Sequence, residues 1–295
     1  MTPNAALRWP LLCSAVGVIL ALASCNMPGT RSGVPTLTAL PPARASVTPS
    51  PAASPTATPT PTAAPIPSDW DELRPGFATT TSPIVVNNET ATVTLIRIDP
   101  ARFRLRMAYA PGNPATISEW QRRTGALMVI NGGFFQRNNQ TNGLLVVDGQ
   151  RYGLTFDRHG GMLGVAGDKV EVRSLAEFPY QPAEALDQAV QGRPMLIYPG
   201  GFPVSIDDLE PDFSRRTAVA QDKQGRIVFM VVDYGIVSLF RLRDWMTIEH
   251  PELGLFVAFN LDGGSSTAMA VKVDDRSLLI DSTARLPSVI SVYAK

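Results

Sequence analysis

The alternation of apolar and polar residues along most of the chain predicts β-strands. Residues 90–99 and 102–109 alternate as half-buried strands do, and the Asp99-Pro100 step between them favours a turn, so the pair predicts a hairpin. Residues 126–130 and 255–259 are short continuous apolar runs, which are typical of strands covered on both faces. "GLLVVDG" and "RIVFMVVD" predict two further strands.

Helical patterns are fewer. Residues 116–124 offer Thr116 or Ser118 as an N-cap and are followed by Gly125, a common helix stop. Residues 238–249 begin at Ser238, which suits an N-cap, and carry four apolar residues at helical spacing that should face the core, namely Leu239, Leu242, Trp245 and Met246. These patterns predict an α+β fold, mixed, with a mostly β core and a few helices packed on it.

The N-terminal segment predicts export and lipid anchoring. Arg8 precedes an apolar run over residues 9–23, which is shorter than the about 20 residues of a membrane-spanning helix. Leu22-Ala23-Ser24-Cys25 resembles the lipobox of bacterial lipoproteins, in which the cysteine is acylated after cleavage. We therefore predict a lipoprotein signal peptide over residues 1–25 and an extracytoplasmic protein anchored to the bacterial cell membrane. An ordinary signal peptide or an N-terminal membrane anchor remains an alternative.

Composition separates a linker from a folded domain. Residues 28–67 contain 11 prolines and neither an aromatic residue nor an acid, so residues 26–67 predict a disordered tether. Residues 68–295 form the predicted domain. Three of the 26 basic residues precede it, which leaves 23 against 26 acids and a formal charge of −3. This charge, without a basic run, argues against nucleic-acid binding.

Cysteine usage narrows the chemistry further. Cys13 and Cys25 both precede the predicted domain. The domain therefore has no disulfide, no cysteine zinc site and no cysteine nucleophile, and its stability must come from its own hydrophobic core.

Three predicted strands deliver Asn or Asp into a turn that contains glycine. The segments are "VINGGFF" with Asn131, "VVDYG" with Asp233 and "NLDGGSST" with Asp262. Each one alone could be a turn in which the side chain caps its own backbone. Two runs that end in Gly-Gly indicate a site, because strand-end loops present functional groups on a rigid scaffold. The turn at residues 263–266 offers backbone N–H groups and hydroxyls, which favour anions such as phosphate.

A phosphate site also requires cations. Arg215 and Arg216 stand at the entry of a predicted strand, where adjacent side chains face opposite sides, so at most one of them points into a site. Arg193 in "QGRPMLI" is a further candidate.

The order of these segments resembles the phosphodiester glycosidase family over about residues 82–292. "INGGFF", "GLLVVDG", "GRPMLI", "RRTAVAQDKQGRIVFMVVD" and "FNLDGGSSTAM" follow one another before a late Arg285. The family includes bacterial exopolysaccharide-associated proteins and the animal uncovering enzyme, which removes N-acetylglucosamine from a sugar-phosphodiester. The resemblance implies functional roles for Asn131, Gly132, Gly133, Arg216, Thr217, Asp233, Asp262, Gly263, Gly264, Ser265 and Ser266.

The sequence departs from the family pattern at two places. Tyr234 follows the acid where the family commonly has glycine, and a third glycine of the family's "DGGGSS" is absent after Asp262. Both departures concern the shape of the pocket. They therefore bear on the identity of the substrate more than on the class of reaction.

The resemblance implies hydrolysis of a sugar-1-phosphodiester in a cell-surface or exported glycan. A carboxylate can stabilise or attack the oxocarbenium-like transition state, or activate water, and we expect Asp262 in this role with Asp233 as the second carboxylate. The phosphate leaves as a stable anion and needs electrostatic stabilisation, which we expect from Arg216 and the turn at residues 263–266. Asn131 is expected to hydrogen-bond the sugar or the phosphate.

Two other classes of function fit parts of the pattern. A non-catalytic lipoprotein could bind phospho-glycans through the same pocket. A serine hydrolase could use Ser265, although Thr267 occupies the last glycine position of a G-x-S-x-G elbow. Its base would have to be His159 or His250, which are the chain's two histidines and are both expected at the surface.

No cofactor is expected. Asp233, Asp262 and Asn131 are hard oxygen ligands that suit Ca²⁺ or Mg²⁺, so a divalent cation is not excluded, but no spacing matches an EF-hand loop. The natural sugar and the oligomeric state stay open.

Overall fold

The computed structural model describes residues 70–156, 158–205 and 212–295, and the predicted signal peptide, Cys25 and linker lie outside them. Strands dominate the described residues. They are β1 (Asp71–Arg74), β2 (Phe77–Val86), β3 (Glu89–Ile98), β4 (Phe103–Tyr109), β5 (Met128–Asn131), β6 (Leu145–Val147), β7 (Gln150–Tyr152), β8 (Gly161–Ala166), β9 (Lys169–Ser174), β10 (Gln188–Gly192), β11 (Met195–Tyr198), β12 (Phe202–Pro203), β13 (Ser214–Asp222), β14 (Ile227–Val237), β15 (Leu255–Asn260), β16 (Met269–Val273), β17 (Arg276–Ile280) and β18 (Ser288–Ala294).

The strands form three sheets. The large sheet has the order β1-β2-β3-β14-β13-β15-β11-β12, and two five-stranded sheets have the orders β7-β6-β10-β8-β9 and β17-β16-β5-β18-β4. Every pairing among these described strands is antiparallel. Apolar side chains from all three sheets, among them Phe229, Leu163 and Ile130, share one core.

The two continuous apolar runs are central strands, as predicted. β5 lies between β16 and β18, and β15 lies between β13 and β11. All four residues of β5 are buried, and in β15 only Phe256 is exposed. Because both strands have neighbours on each edge and packing on each face, their sequences contain little polar alternation.

The predicted hairpin is wrong. β3 pairs with β2 and β14 in the large sheet, whereas β4 pairs with β18 in a five-stranded sheet. The Asp99-Pro100 turn exists, but it passes the chain from one sheet to the next. β4 alternates as predicted, whereas β3 is buried without a break from Val93 to Ile96. The hairpin prediction fails on partner choice, because Ile98 pairs with Ile227 and Phe103 pairs with Ala294, far along the chain.

The predicted helices are present and short. Helix α1 (Ile117–Thr124) has Thr116 as its N-cap in a capping box with Glu119, and it ends at Gly125 in the left-handed conformation. Helix α2 (Leu239–Asp244) begins behind Ser238, whose hydroxyl accepts from the Arg241 N–H, and continues as a π-helix over Trp245–Glu249.

The β-rich core is confirmed, but the α+β class overstates the helical share. The described part of the chain contains two α-helices, of eight and six residues. Leu239, Leu242, Trp245 and Met246 are buried as expected. No described helix has both the length and the apolarity that a membrane crossing requires.

The expectation that both histidines lie at the surface fails for His250. Its side chain is fully buried beside the Trp245 ring, with centroids 4.4 Å apart. Its Nδ1 lies 2.8 Å from Glu252 Oε1 and its Nε2 lies 3.5 Å from Ser82 Oγ. Its polar ring atoms therefore have partners inside the fold. His159 is exposed, as expected.

Candidate active site

A cavity of about 520 Å³ opens where β15 ends in the large sheet. Its lining combines charged, polar and aromatic side chains with the glycines of the turn after β15. The lining residues are Phe134, His159, Arg193, Pro194, Asp212, Ser214, Arg216, Leu239, Asn260, Asp262, Gly263, Gly264 and Ser265.

The antiparallel pairing explains why these residues meet. β13 flanks β15 on one side, with Ala218 opposite Asn260, and β11 flanks it on the other, with Met195 opposite Phe259. The chain ahead of β11 therefore brings Arg193 to one side of the strand end. The start of β13 brings Arg216 to the other side. Asp262 follows the strand between them.

Asp262 is a carboxylate in a protected position. Its Oδ1 accepts a hydrogen bond from the Gly263 N–H at 3.0 Å. Burial raises its pKa to about 6, while hydrogen bonds from the Ser266 side chain and the Gly263 backbone act in the opposite direction. A carboxyl group with such a pKa is ionised in most molecules at neutral pH and still exchanges its proton readily, which suits acid–base or nucleophilic chemistry.

The turn after Asp262 needs its glycines for steric reasons. Residues Gly264–Ser266 form one turn of 3-10 helix, and Gly264 has a φ of 58°. A Cβ at Gly263 would lie 2.9 Å from the Arg215 carbonyl oxygen. Gly263, Gly264 and Ser265 line the cavity, whereas Ser266 is buried behind it and hydrogen-bonds Asp262.

Asn131 does not contact the cavity, so its predicted contact with substrate is corrected. Its side chain is 0% exposed, and its Nδ2 donates to the carbonyl oxygens of Asp262 at 2.8 Å and Gly132 at 3.3 Å. Its Oδ1 accepts from Thr217 Oγ1 at 2.9 Å and from the Ala268 N–H at 3.1 Å. All four hydrogen-bonding positions of the carboxamide are used within the protein. Asn131 therefore holds the backbone of the Asp262 turn by hydrogen bonds made inside the fold.

Thr217 has the same supporting role. It is 0% exposed, and besides its bond to Asn131 its hydroxyl lies 3.3 Å from Thr267 Oγ1. Thr217 was predicted to contact substrate, but its buried hydroxyl instead joins β13 to Asn131 at the end of β5 and to Thr267 after the Asp262 turn.

Gly132 and Gly133 also lie outside the cavity lining. A Cβ at Gly132 would be 2.5 Å from Ser288 Oγ, and a Cβ at Gly133 would be 2.7 Å from the Gln191 carbonyl oxygen. These glycines permit the end of β5 to pass close to β18 and β10. Their predicted contact with substrate is therefore also corrected.

Arg216 lines the cavity, but much of its guanidinium is engaged. It is 6% exposed, and its Nε donates to the Val237 carbonyl oxygen at 2.8 Å. Its Nη2 donates to the Asp212 carbonyl oxygen and lies 3.3 Å from the Asp212 carboxylate. At most one arginine of the Arg215-Arg216 pair was expected to point into a site. Arg216 lines the cavity, whereas the Arg215 guanidinium donates to the Asp281 carbonyl oxygen at 3.0 Å.

Asp233 is not brought to Asp262. It lies in the exposed part of β14, does not line the cavity, and accepts from the Thr92 N–H at 3.2 Å. The other carboxylate in the lining is Asp212, the ion-pair partner of Arg216. The geometry therefore gives no support to Asp233 as a second catalytic carboxylate.

Sequence reasoning missed several lining residues. Asn260 stands two positions before Asp262, so strand periodicity could have placed both on the same face. Its Nδ2 donates to the Arg193 carbonyl oxygen at 2.9 Å, while its buried Oδ1 has no hydrogen-bond partner in the described part of the chain. His159, which was expected at the surface, is exposed and lines the cavity. Phe134 belongs to the "INGGFF" motif, which pointed to this region without assigning it a role, whereas Asp212 carried no distinctive sequence signal.

The oxygen ligands considered for a divalent cation are dispersed. Asn131 is buried and fully hydrogen-bonded, and Asp233 does not line the cavity that holds Asp262. Within residues 70–156, 158–205 and 212–295, no group of three His, Cys, Asp or Glu side chains is placed to hold a metal ion.

Fold and site together define an antiparallel β-domain with a cavity that a partly buried carboxylate, Asp262, lines together with two arginines. The phosphodiester glycosidase family model matches residues 124–293, and the chain belongs to this family. It is 27% identical over 175 residues to the uncharacterized protein YigE of Escherichia coli strain K12, a stretch that covers 54% of this chain and 68% of that protein.

Two solved structures share the fold. One is the zebrafish N-acetylglucosamine-1-phosphodiester alpha-N-acetylglucosaminidase catalytic domain auto-inhibited by its pro-peptide, with a TM-score of 0.56 and 18% identity over 79% of this chain and 87% of that one. The other is a hypothetical protein from Synechocystis, with a TM-score of 0.53 and 18% identity. The match covers 75% of this chain and 62% of the Synechocystis chain.

Proposed function

We propose that the protein hydrolyses the glycosidic C1–O–phosphate bond of a sugar-1-phosphodiester in a cell-surface or exported glycan. One observation carries this proposal: Asp262, with its pKa raised to about 6 by burial, shares a cavity with Arg193 and Arg216. The family supports a phosphodiester glycosidase activity. The zebrafish relative acts, by its name, on an N-acetylglucosamine-1-phosphodiester, and we propose the same linkage here with the sugar left open.

The proposed step breaks the bond between C1 and the phosphate oxygen, and the bonding electrons leave with the phosphate. An ionised Asp262 stabilises the positive charge at C1, attacks C1 or takes a proton from the water that does. The arginines offset the charge of the departing phosphate, and a preorganised donor of this kind is typically worth roughly 2.7–4 kcal/mol of transition-state stabilisation. Water finally supplies the hydroxyl group at C1.

The test is a screen of sugar-1-phosphodiesters, including teichoic-acid-like and exopolysaccharide-linked compounds. We expect release of free sugar from at least one compound by the wild type, and no detectable release by Asp262→Asn. Asp275→Asn is the matched control, because it removes an exposed carboxylate that does not line the cavity. Wild-type turnover in Asp262→Asn would refute the assignment.

Two outcomes would favour the alternatives instead. Binding of phospho-glycans without turnover across the whole screen would indicate a non-catalytic binding lipoprotein. Loss of turnover in both Ser265→Ala and His159→Gln, with Asp262→Asn active, would indicate a serine hydrolase. His250 cannot serve Ser265 as a base, because it is buried next to Trp245 and does not line the cavity.

We also propose that acylated Cys25 anchors the protein to the bacterial cell membrane and that residues 26–67 tether the domain. The Pro- and Thr-rich composition of this segment and the lipobox-like Leu22-Ala23-Ser24-Cys25 support both points. An extracytoplasmic position matches a substrate in exported glycans.

A further inference from the structure

Two exposed aromatic residues, Phe213 and Tyr234, lie beside the cavity. Phe213 stands between Asp212 and Ser214, which both line the cavity, and it is 61% exposed. Tyr234, in β14, is 53% exposed. Within the described part of the chain, neither ring belongs to a core cluster or packs against another ring or a guanidinium. Packing inside the fold therefore does not account for this aromatic pair.

An irregularity in strand pairing turns Tyr234 outward. The register of β13 against β14 shifts between Ser214 and Arg216, where residues 233–236 of β14 stand against a single residue of β13. Residues 233–235 are all exposed, whereas a regular strand alternates its side chains between two faces. Bulges of this kind commonly re-aim a side chain next to a functional site.

The bulge is fixed at both of its ends. Asp233 Oδ1 accepts a hydrogen bond from the Thr92 N–H of β3 at 3.2 Å. At the other end, the Val237 carbonyl oxygen accepts from Arg216 Nε at 2.8 Å. Tyr234 therefore extends from a fixed backbone, which lowers the entropy that a ligand must give up on binding to it.

The start of β13 connects the bulge to the Asp262 turn. A Cβ at Gly235 would lie 3.8 Å from the Arg215 backbone nitrogen, and a Cβ at Gly263 would lie 2.9 Å from the Arg215 carbonyl oxygen. Phe213 stands only two positions before Arg215. The two aromatic residues and the turn that follows β15 thus border the same short stretch of β13, and the aromatic pair lies just outside the cavity.

The chemistry of this surface suits a sugar ring. A sugar presents C–H groups on its faces and hydroxyls at its edge, so it can lie flat on an aromatic ring while its hydroxyls stay hydrated. Phe and Tyr provide such apolar faces, and exposed apolar groups beside a cavity commonly mark a ligand-binding surface. Asp212 and Asp233 are exposed carboxylates next to the two rings along the chain, and carboxylates accept hydrogen bonds from hydroxyls.

A glycan fits this surface better than a protein partner does. Specific protein interfaces bury about 1,200–2,000 Å² in total and have an apolar centre. Two aromatic rings flanked by exposed carboxylates do not form such a centre. A chain of sugars needs only separate rings along its path, and a glycan longer than the cavity of about 520 Å³ has to leave it across its border.

We propose that Phe213 and Tyr234 stack against sugar rings of a glycan chain that continues outside the cavity, so that the protein binds an oligomeric glycosyl phosphate more tightly than a single diester unit. The continuity with the cavity rests on the proposed function, whereas stacking on the aromatic pair is measured without turnover. Tyr234 stands where the family commonly has glycine, so this surface is a feature of the present chain.

The test measures binding by calorimetry to the full chain carrying Asp262→Asn. The two probes are methyl N-acetylglucosaminyl phosphate and a three-unit oligomer of N-acetylglucosamine joined by 1-phosphodiesters. We expect the oligomer to bind about 10-fold or more tightly than the methyl diester. Adding Phe213→Ala or Tyr234→Ala should weaken oligomer binding by about 3–10-fold each, as for loss of one aromatic contact, and methyl diester binding by less than about twofold. Tyr234→Phe keeps the ring and should retain the oligomer affinity.

Phe178→Ala is the matched control, because Phe178 is 58% exposed and does not line the cavity. Its affinity for the oligomer should stay within about twofold of the parent. The proposal is overturned if the oligomer binds no more tightly than the methyl diester, or if Phe213→Ala and Tyr234→Ala weaken both probes equally. If the wild type releases no sugar from any diester, the proposed function fails, and the comparison of the two probes still decides whether the aromatic pair holds a glycan.

Discussion

At the scale of single residues, Asp262 combines two opposing influences on one carboxylate. Burial disfavours its charge, while the Gly263 N–H and the Ser266 side chain stabilise it. Because burial is the larger influence, keeping Asp262 ionised costs folding stability. Functional sites commonly carry such a cost, and the surrounding fold must offset it.

This cost leads to a prediction about stability and pH. Below about pH 4 the carboxyl group is protonated in both the folded and the unfolded chain, so it has no net effect. Between about pH 4 and pH 6 the folded protein keeps a proton that the unfolded chain has released, and the wild type loses stability as the pH rises. Asp262→Asn removes this titrating charge, so its free energy of unfolding should exceed that of the wild type by about 2–3 kcal/mol at pH 8. Urea unfolding at a series of pH values measures this difference.

The control for this measurement is Asp275→Asn. Asp275 is exposed, so its variant should follow the wild-type pH dependence within about 0.5 kcal/mol. A stability gap between Asp262→Asn and the wild type that stays constant from pH 4 to pH 8 would show that the carboxyl group titrates normally in the folded protein.

The sequence identified Asp262 and its turn. It did not distinguish the residues that line the cavity from the buried residues that support the turn. Asp262, Gly263 and Gly264 follow a strand and line the cavity, as their motif predicted. Asn131 ends β5 in a motif of the same kind yet is buried, because its exposure depends on which strands cover it. Burial of a strand-end side chain is a tertiary property that local spacing does not encode.

At the scale of elements, the Asp262 turn depends on β5 and β13 as well as on its own strand. Asn131 at the end of β5 joins the Asp262 carbonyl oxygen, the Ala268 N–H and the Thr217 hydroxyl of β13. The turn that carries Asp262 is therefore held by hydrogen bonds from two sheets, which limits its freedom to move.

We predict that Asn131→Ala destabilises the protein by roughly 2–4 kcal/mol, because buried polar groups lose their partners. The free energy of unfolding in urea is the measurement. Asn138→Ala is the control, since Asn138 is exposed and accepts one bond, from the Gln140 N–H at 3.0 Å. A loss for Asn131→Ala no larger than for Asn138→Ala would mean that the buried network adds little to stability.

Local elements were predictable where local chemistry decides them. The capping box of Thr116 and Glu119 and the left-handed Gly125 fix both ends of α1 within ten residues of sequence. The partner of β4 was not predictable from its neighbours, because β18 lies about 190 residues further along the chain. Alternation gives the buried face of a strand but not the strand beside it.

At the scale of the whole molecule, three antiparallel sheets share a core and present the cavity at the end of one central strand. A domain built in this way, without cysteines, can work in an oxidising or a reducing compartment. The described residues that line the cavity run from Phe134 to Ser265, well beyond the predicted signal peptide and tether along the chain. Attachment to a membrane would then position the site and leave its chemistry unchanged.

The last prediction tests whether acylated Cys25 attaches the protein to the membrane while the domain alone carries the activity. In a bacterial host, the wild type should incorporate a palmitate analogue and sediment with membranes. Cys25→Ala should lose the label and more than about half of its membrane association, because the attached acyl chains are what holds a lipoprotein on the membrane. Cys13→Ala is the matched control, since Cys13 lies inside the apolar run and should not affect labelling. The released Cys25→Ala protein should keep wild-type kcat/KM on a soluble diester. Full labelling of Cys25→Ala would mean that the lipobox-like segment is not the acylation site.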